Sequence, residues 1–415
     1  MGKIKFLNHK LLSKTNLAVF FALCMIGSFL CSRSILSISM ILFGLNGIRD
    51  VQPKEWLKQR WWLFGLIWVL LYAVSWFWSD NKHEWNVLTQ VKLPFLIMPL
   101  AFAFLPAFSQ KQLRVFTAVF NLLMLCGIAY SMGVFLRDYS EYVAGYGYSK
   151  VMPTPAYNDH ITFSAVVTLC IVWNVYIWRV LGKGGKWLAA ISIALLAAYL
   201  HVLAAKTGLV ALYLFVIFFA VYLVLRRHAM VGISLIAVLA IGVFLANRYV
   251  PTFNKRLNYI NFAYDRYQEN VRSGDYGDIG RIMSYELSTK IIEQHPLTGV
   301  GAGDMLDEMK KSYDQYYPQV PDDQRLLPHN QFLVIALGVG IPALVFFLLW
   351  MFAPFRRLRK NRESAFFLFI WSVLMVPLMV DPTLEIQLGV FVFTFFFLWQ
   401  RHLLIYPPQK ESVVS

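Results

Sequence analysis

Three residues of this chain pair useful chemistry with an unusual place in the sequence. Lys206 lies in Ala204-Ala205-Lys206-Thr207-Gly208, a very short connection between two apolar runs. A cation held between membrane helices is expensive and often functional, although a lysine reaching for lipid headgroups accounts for it equally well. Arg281 stands in the first turn of a helix expected to start at Asp278, where a cation opposes the helix dipole. That placement mildly favours anion binding, and a salt bridge with Glu286 or Asp278 is the plainer alternative. His329 opens an apolar run. An imidazole there can take a proton from a hydroxyl near neutral pH or simply cap the segment. Two cations and one base suit an anion with a proton transfer beside it.

Weaker candidates flank these three. Gly299-Val300-Gly301-Ala302-Gly303 precedes a helix and can present backbone N–H groups to a phosphate. No Lys-Ser/Thr follows it, as a nucleotide-binding loop would require, so a tight structural turn suits it better. Asn158-Asp159-His160 repeats the polar-then-apolar pattern of His329-Asn330. His160 and Asn330 either line one cavity with the other candidates or end helices, with a cap the favoured reading for the segment at 158. Paired carboxylates such as Asp322-Asp323 lack metal-site spacing, so neither a metal nor a cofactor is expected.

The elements that must hold these residues are membrane helices. The chain has 415 residues, 58% hydrophobic and 15% charged, with mean hydropathy +0.54, where a soluble domain carries about a quarter charged residues. By length and hydropathy about twelve spans are expected, near 16–31, 34–48, 61–78, 93–108, 114–135, 159–180, 187–204, 208–225, 229–247, 331–353, 365–380 and 386–404. The N-terminus, Arg49 to Arg60, Lys111 to Arg114, Arg179 to Lys186, Arg226-Arg227 and Arg356 to Arg362 are basic and fall on one side. Asp80 to Glu84, Asp138 to Asp159, the loop 248–328 and Asp381 to Glu385 fall on the other. The positive-inside bias then puts both termini in the cytoplasm and the long loop outside. The expected fold is an all-α polytopic bundle, with 1–415 one transmembrane domain and 248–328 a large periplasmic loop carrying short helices.

The net charge of +15 follows from that bias. No basic stretch is interleaved with stacking aromatics, so no nucleic-acid partner is expected; membrane lipids are. Trp61-Trp62, Trp76-Phe77-Trp78 and Trp399 crowd span ends, as interfacial aromatics do. Cys24, Cys31, Cys126 and Cys170 lie in or beside apolar runs, which argues against disulfides and a zinc site. The run 16–30 lacks a small-residue cleavage site and reads as a retained helix, while Cys31-Ser32-Arg33 leaves room for a re-entrant hairpin.

Inside the long loop, a helix capped by Asp278 should run through Arg281 to Gln294, with Ile282, Tyr285, Thr289 and Ile292 on one face. His295-Pro296 ends it, because the residue before proline avoids the helical region. A second amphipathic helix should begin at Asp304, with Met305, Met309 and Tyr316 apolar. Such helices lie on the bilayer or cover a cavity.

Gly280-Arg281, Glu286-Leu287, His295-Pro296-Leu297-Thr298-Gly299-Val300-Gly301-Ala302-Gly303, Pro328-His329-Asn330-Gln331-Phe332-Leu333 and Gly338-Val339-Gly340 together resemble the bacterial O-antigen ligase and polymerase family. The resemblance is strongest from about 200 to 345 and separates ligases from polymerases poorly. It implies transfer of a glycan from an undecaprenyl-diphosphate carrier to an acceptor hydroxyl at the periplasmic face of a bacterial inner membrane. For ligases that acceptor is lipid A–core, and the enzymes resemble metal-independent, inverting glycosyltransferases. By the same resemblance Arg281 would hold the diphosphate, and His329 would act as base or position the acceptor. Lys206 stands where the family usually has arginine; it can neutralise a phosphate without making the bidentate fork.

A repeat-unit polymerase is the alternative in the same class. A transporter for lipid-linked glycan is the alternative outside it, disfavoured because no inverted repeat or pair of broken helices is seen.

Overall fold

The structure is a computed structural model and describes residues 13–51, 54, 60–148, 151–268 and 277–409. Its helices are α1 Lys14–Cys31, α2 Arg33–Ile48, α3 Arg60–Val74, α4 Lys82–Lys92, α5 Pro94–Ala103, α6 Gln110–Arg137, α7 Tyr139–Gly145, α8 His160–Ile177 and α9 Lys183–Leu203. They continue as α10 Lys206–Leu225, α11 Ala229–Tyr249, α12 Pro251–Gln268, α13 Gly277–Gln294, α14 Met305–Tyr316, α15 Gln331–Phe352, α16 Arg362–Val380 and α17 Gln387–Ile405. Eleven helical stretches among the described residues are long and apolar enough to cross a membrane, and α2 is a shorter apolar helix of 16 residues. The protein is a polytopic helical membrane protein.

Local sequence sets the helix starts. Ser13, Ser32, Asn81, Ser109 and Asn361 each precede a helix and accept a backbone N–H in its first turn, which satisfies a donor that would otherwise have no partner. Ser32 separates α1 from α2, and Lys14 Nζ donates to Arg49 O at 3.0 Å. At the opposite end of this pair, Arg33 N donates to the Tyr157 hydroxyl at 3.2 Å. The two helices therefore run the same length of the bundle in opposite directions, and the Cys31-Ser32-Arg33 segment is the turn between them. At the bundle's centre lie the spans His160–Val180 and Gln387–Ile405, 83% and 89% buried, whereas Ala229–Tyr249 is 11% buried and lies at the rim.

The segment between α13 and α14 is locked into the bundle through a break in α15. Gly340 has φ +86°, and Pro342 follows it, so the helix ladder is interrupted inside an apolar span. Val300 N donates to Leu337 O at 2.9 Å and Gly301 N to Gly338 O at 3.0 Å. Ile341 N donates to Pro296 O at 2.8 Å. A broken helix is tolerated in a membrane only where its released backbone groups find partners in protein, and this loop supplies them. A side-chain carbon on Gly340 would come within 2.2 Å of Leu297 O, and one on Gly338 within 2.6 Å of Met305 Sδ.

Three local expectations change. The buried face of α13 is Met283, Leu287 and Ile291, while Ile282 and Thr289 are exposed, because α13 packs on α14 and α15 through the neighbouring stripe. In α14 the buried residues are Met305, Met309 and Tyr313. Tyr316 is 44% exposed, and Lys290 Nζ lies 3.9 Å from its ring centroid. Asp304 precedes α14 but makes no side-chain cap; its carboxylate accepts from Asp80 N and Asn81 N, both at 2.7 Å. Residues 251–268, read from sequence as loop, form the helix α12. The expected cap at Asp278 concerns a side chain outside those described.

Candidate functional site

Helix starts bring the candidate residues together at one end of the bundle. Lys206 is the first residue of α10, and the turn before it is short because Ala204 takes the left-handed conformation at φ +47°. His160 is the first residue of α8. Its neighbour Asp159 is the cap, accepting from Thr162 N at 2.9 Å, so the segment both caps a helix and delivers an imidazole. Burial pushes the Asp159 carboxyl up from its ordinary range, nearby Asp381 adds to the rise, and the hydrogen bonds to Thr162 oppose it.

Lys206, Arg281 and His160 line one cavity of about 310 Å³, with Val210 from α10 and Val376 and Val380 from α16. Arg256, on α12, lines it too. Sequence reasoning missed Arg256 because α12 itself was read as loop; the aromatic spacing Phe253, Tyr259 and Phe262 was the available signal. α12 is held against the turn that carries Lys206. Thr252 Oγ1 donates to Val202 O at 2.6 Å, and Lys206 Nζ lies 5.8 Å from the Tyr259 ring centroid. The Arg256 guanidinium lies 5.1 Å from the Tyr146 ring centroid, and the Tyr146 hydroxyl donates to Leu203 O at 2.7 Å. Burial pushes the Tyr146 hydroxyl up to about 12, partly offset by the Met152 N–H and by Arg256, so it stays protonated as a donor.

His329 is outside the residues lining that cavity and beside them. Its Nδ1 lies 3.2 Å from Asp381 Oδ1, and Asp381 directly follows the cavity residue Val380. Asp381, Arg256 and Arg281 all interact electrostatically with His160. The carbonyl of His329 accepts from the Tyr285 hydroxyl at 2.6 Å, one turn along α13 from Arg281. In a neutral imidazole, a hydrogen bond donated from Nδ1 to the Asp381 carboxylate leaves Nε2 as the acceptor. Asn330 is the cap of α15, accepting from Phe332 N at 2.9 Å and Leu333 N at 3.2 Å, and is not among the residues lining the cavity.

Asp381 sits in a connector pinned by buried charge. Lys92 Nζ donates to Glu385 Oε2 at 2.7 Å and to Leu384 O at 2.6 Å, with side-chain exposures of 0% and 7% for the pair. Gln331 Nε2 donates to Glu385 Oε1 at 2.7 Å, and Leu384 N donates to Gln331 Oε1 at 2.6 Å. The network fixes the Asp381 connector against the residue two places after His329. A lysine and a glutamate in membrane helices and their connectors are expected to pair, which is the sequence signal that was overlooked.

The glycine-rich turn contributes no anion cradle. Besides the bonds to α15, Ala302 N donates to Ser75 Oγ at 3.3 Å and Gly303 N to Ser79 Oγ at 3.2 Å. Its donors are committed to protein, in keeping with the structural-turn reading. Among the described residues no group of three or more His, Cys, Asp or Glu is placed to hold a metal ion.

Fold and site together define an integral membrane protein with a cation-lined cavity at one end of its helical bundle. A family model described as O-Antigen ligase matches residues 189–348, the stretch that carries Lys206, Arg256, Arg281 and His329, and over that stretch the chain is similar to the O-antigen ligase superfamily. This is a family of glycosyltransferase-type enzymes, whose partners are a lipid-linked glycan and an acceptor. No curated protein matches the chain.

Proposed function

We propose that the protein is an O-antigen ligase-like glycosyltransferase. It moves a glycan from an undecaprenyl-diphosphate carrier to an acceptor hydroxyl, that of lipid A–core, at the periplasmic face of a bacterial inner membrane. The observation that carries this reading is one cavity lined by Lys206, Arg256, Arg281 and His160 together with the apolar side chains of Val210, Val376 and Val380. Clustered cations suit a diphosphate, and the valines suit the lipid attached to it, a pairing that a soluble sugar nucleotide would not need.

In this reading the chain acts as one transmembrane unit, both termini are cytoplasmic, and the segment 248–328 forms one wall of the site. The donor carries its own activation in the diphosphate leaving group. The cations stabilise charge where it develops, and holding two substrates in line removes much of the entropic barrier. His329, with its proton directed to Asp381, accepts the acceptor's proton at Nε2. Attack from the face opposite the diphosphate inverts the anomeric centre without a metal.

A repeat-unit polymerase would use the same parts on a different acceptor. Surface polysaccharide from a deletion strain, resolved on a gel, separates the two. Loss of every glycan-capped band, with polymer left on the carrier, is the expected result. Bands capped by a single repeat unit would assign a polymerase instead, and an unchanged pattern would contradict both.

A further inference from the structure

Lys92 carries a charge in a place that the cavity does not account for. It is the last residue of α4, halfway along the span Lys82–Ala103, and its side chain is wholly buried. An ionisable residue inside a span is expensive and points to function by default. Lys92, Glu385 and Gln331 are not among the residues lining the cavity, so none of the three meets a substrate there. Stability is a weak account of the ion pair, because well-packed apolar residues of similar volume often hold a core as firmly. A satisfied buried polar network adds what an apolar contact does not, a unique register between the segments it joins.

The segments joined are those that hold His329. Residues 329–331 lead into α15, and residues 381–385 lead from α16 towards α17; cross-links tie the two at both ends. At one end His329 Nδ1 lies 3.2 Å from Asp381 Oδ1, with side chains 22% and 21% exposed. At the other, Gln331 donates to Glu385 Oε1 at 2.7 Å and accepts from Leu384 N at 2.6 Å. Lys92 fastens that end to α4, donating to Glu385 Oε2 at 2.7 Å and to Leu384 O at 2.6 Å. Each of these bonds is shorter than the partly exposed contact. A partly exposed contact between such groups contributes little by itself, so the buried link sets the spacing and the His329–Asp381 contact follows it.

We propose that Lys92 is a positioning residue for His329. Acting through Glu385 and Gln331, it holds the 381–385 connector in the register at which Asp381 meets Nδ1, and this directs Nε2 to the acceptor hydroxyl. The proposal rests on the reading of His329 as the base. Lys92 makes and breaks no bond of the reaction. Without it the connector loses its anchor on α4, and a displacement of about 1 Å at a reacting group can cost 10²-fold in rate. The donor's diphosphate belongs to the cavity, so donor affinity does not follow the anchor.

The test is a double-mutant cycle on the full-length protein in lipid vesicles, with glycan-loaded undecaprenyl diphosphate as donor and lipid A–core as acceptor. Lys92→Met combined with Glu385→Gln removes both charges together, so no ion is left buried alone. Gln331→Leu cuts the link and leaves the ion pair, and it decides if the first variant fails to accumulate. Each is made in the wild-type and in the His329→Ala background. In the wild-type background both should lower kcat between about tenfold and 10²-fold, with the donor KM changed by less than about threefold. In the His329→Ala background, itself slower by about 10²-fold, neither should lower kcat further, because the residue they position is gone. The same loss of kcat in both backgrounds would mark a merely structural role, and that result, or wild-type kcat in both variants, would overturn the proposal. Wild-type kcat in His329→Ala alone would overturn it together with the choice of base, while leaving the glycosyltransferase reading intact. A wild-type protein that transfers no glycan from a lipid diphosphate would remove that reading as well.

Discussion

The glycine-rich turn at 299–303 and the cation-lined cavity do opposite kinds of work. In the turn, backbone donors find backbone and serine acceptors, glycines stand where a side-chain carbon would collide with neighbouring backbone, and nothing is offered to a ligand. In the cavity, Lys206, Arg256, Arg281 and His160 come from four different helices and gather like charge. The turn makes structure from a contiguous motif, whereas the cavity gathers its charged groups from scattered residues. Between them runs α13. It hangs from the turn at one end and carries Arg281 and Tyr285, so the turn's rigidity sets where the cation stands.

That division predicts two separable classes of variant. The largest effect on folding should come from Gly340→Val, which forces a side chain onto a residue at φ +86° and within 2.2 Å of Leu297 O. Strain of that kind costs at least about 2–4 kcal/mol, and the protein should fall sharply in membrane level; normal levels with normal activity would refute the locked-turn account. Asp304→Ala should be next, because it removes both acceptors at 2.7 Å for Asp80 N and Asn81 N and should cost about 2 kcal/mol, visible as a lower melting temperature in detergent. Lys206→Arg belongs to the other class. It should leave the melting temperature unchanged and keep transfer within about tenfold if charge is what the site needs; full loss would mean that the ammonium has a particular geometry. Asp159→Asn should do least, since asparagine caps a helix as well as aspartate does, and a change above about 1 kcal/mol would show that its raised carboxyl does more than cap.

The sequence made the bundle legible because a spanning helix is written in one continuous apolar run. Long runs with basic connectors located the helices, and cap residues such as Asp159 and Asn330 marked their starts to within a residue or two. The faces of α13 and α14 were harder. Ile282 and Tyr316 fit an apolar stripe as well as Met283 and Tyr313 do, and only the packing partners decide between neighbouring stripes. Lys206, Arg281 and His329 stood out because charge in such places needs an explanation. Arg256 and Asp381 did not. One lies on an unforeseen helix, and the other in a connector that looked merely polar until His329 was found 3.2 Å away. Convergence of distant residues is a property of the fold, and no local pattern records it.

The central claim is that the cationic cavity and His329 carry glycan transfer while the glycine turn carries only structure. It is tested most directly by measuring transfer from a glycan-loaded undecaprenyl diphosphate by reconstituted Arg281→Ala and His329→Ala proteins, with melting temperatures taken on the same samples. The account predicts wild-type melting for both and transfer reduced by about 10²-fold or more. Wild-type transfer in both variants would contradict it.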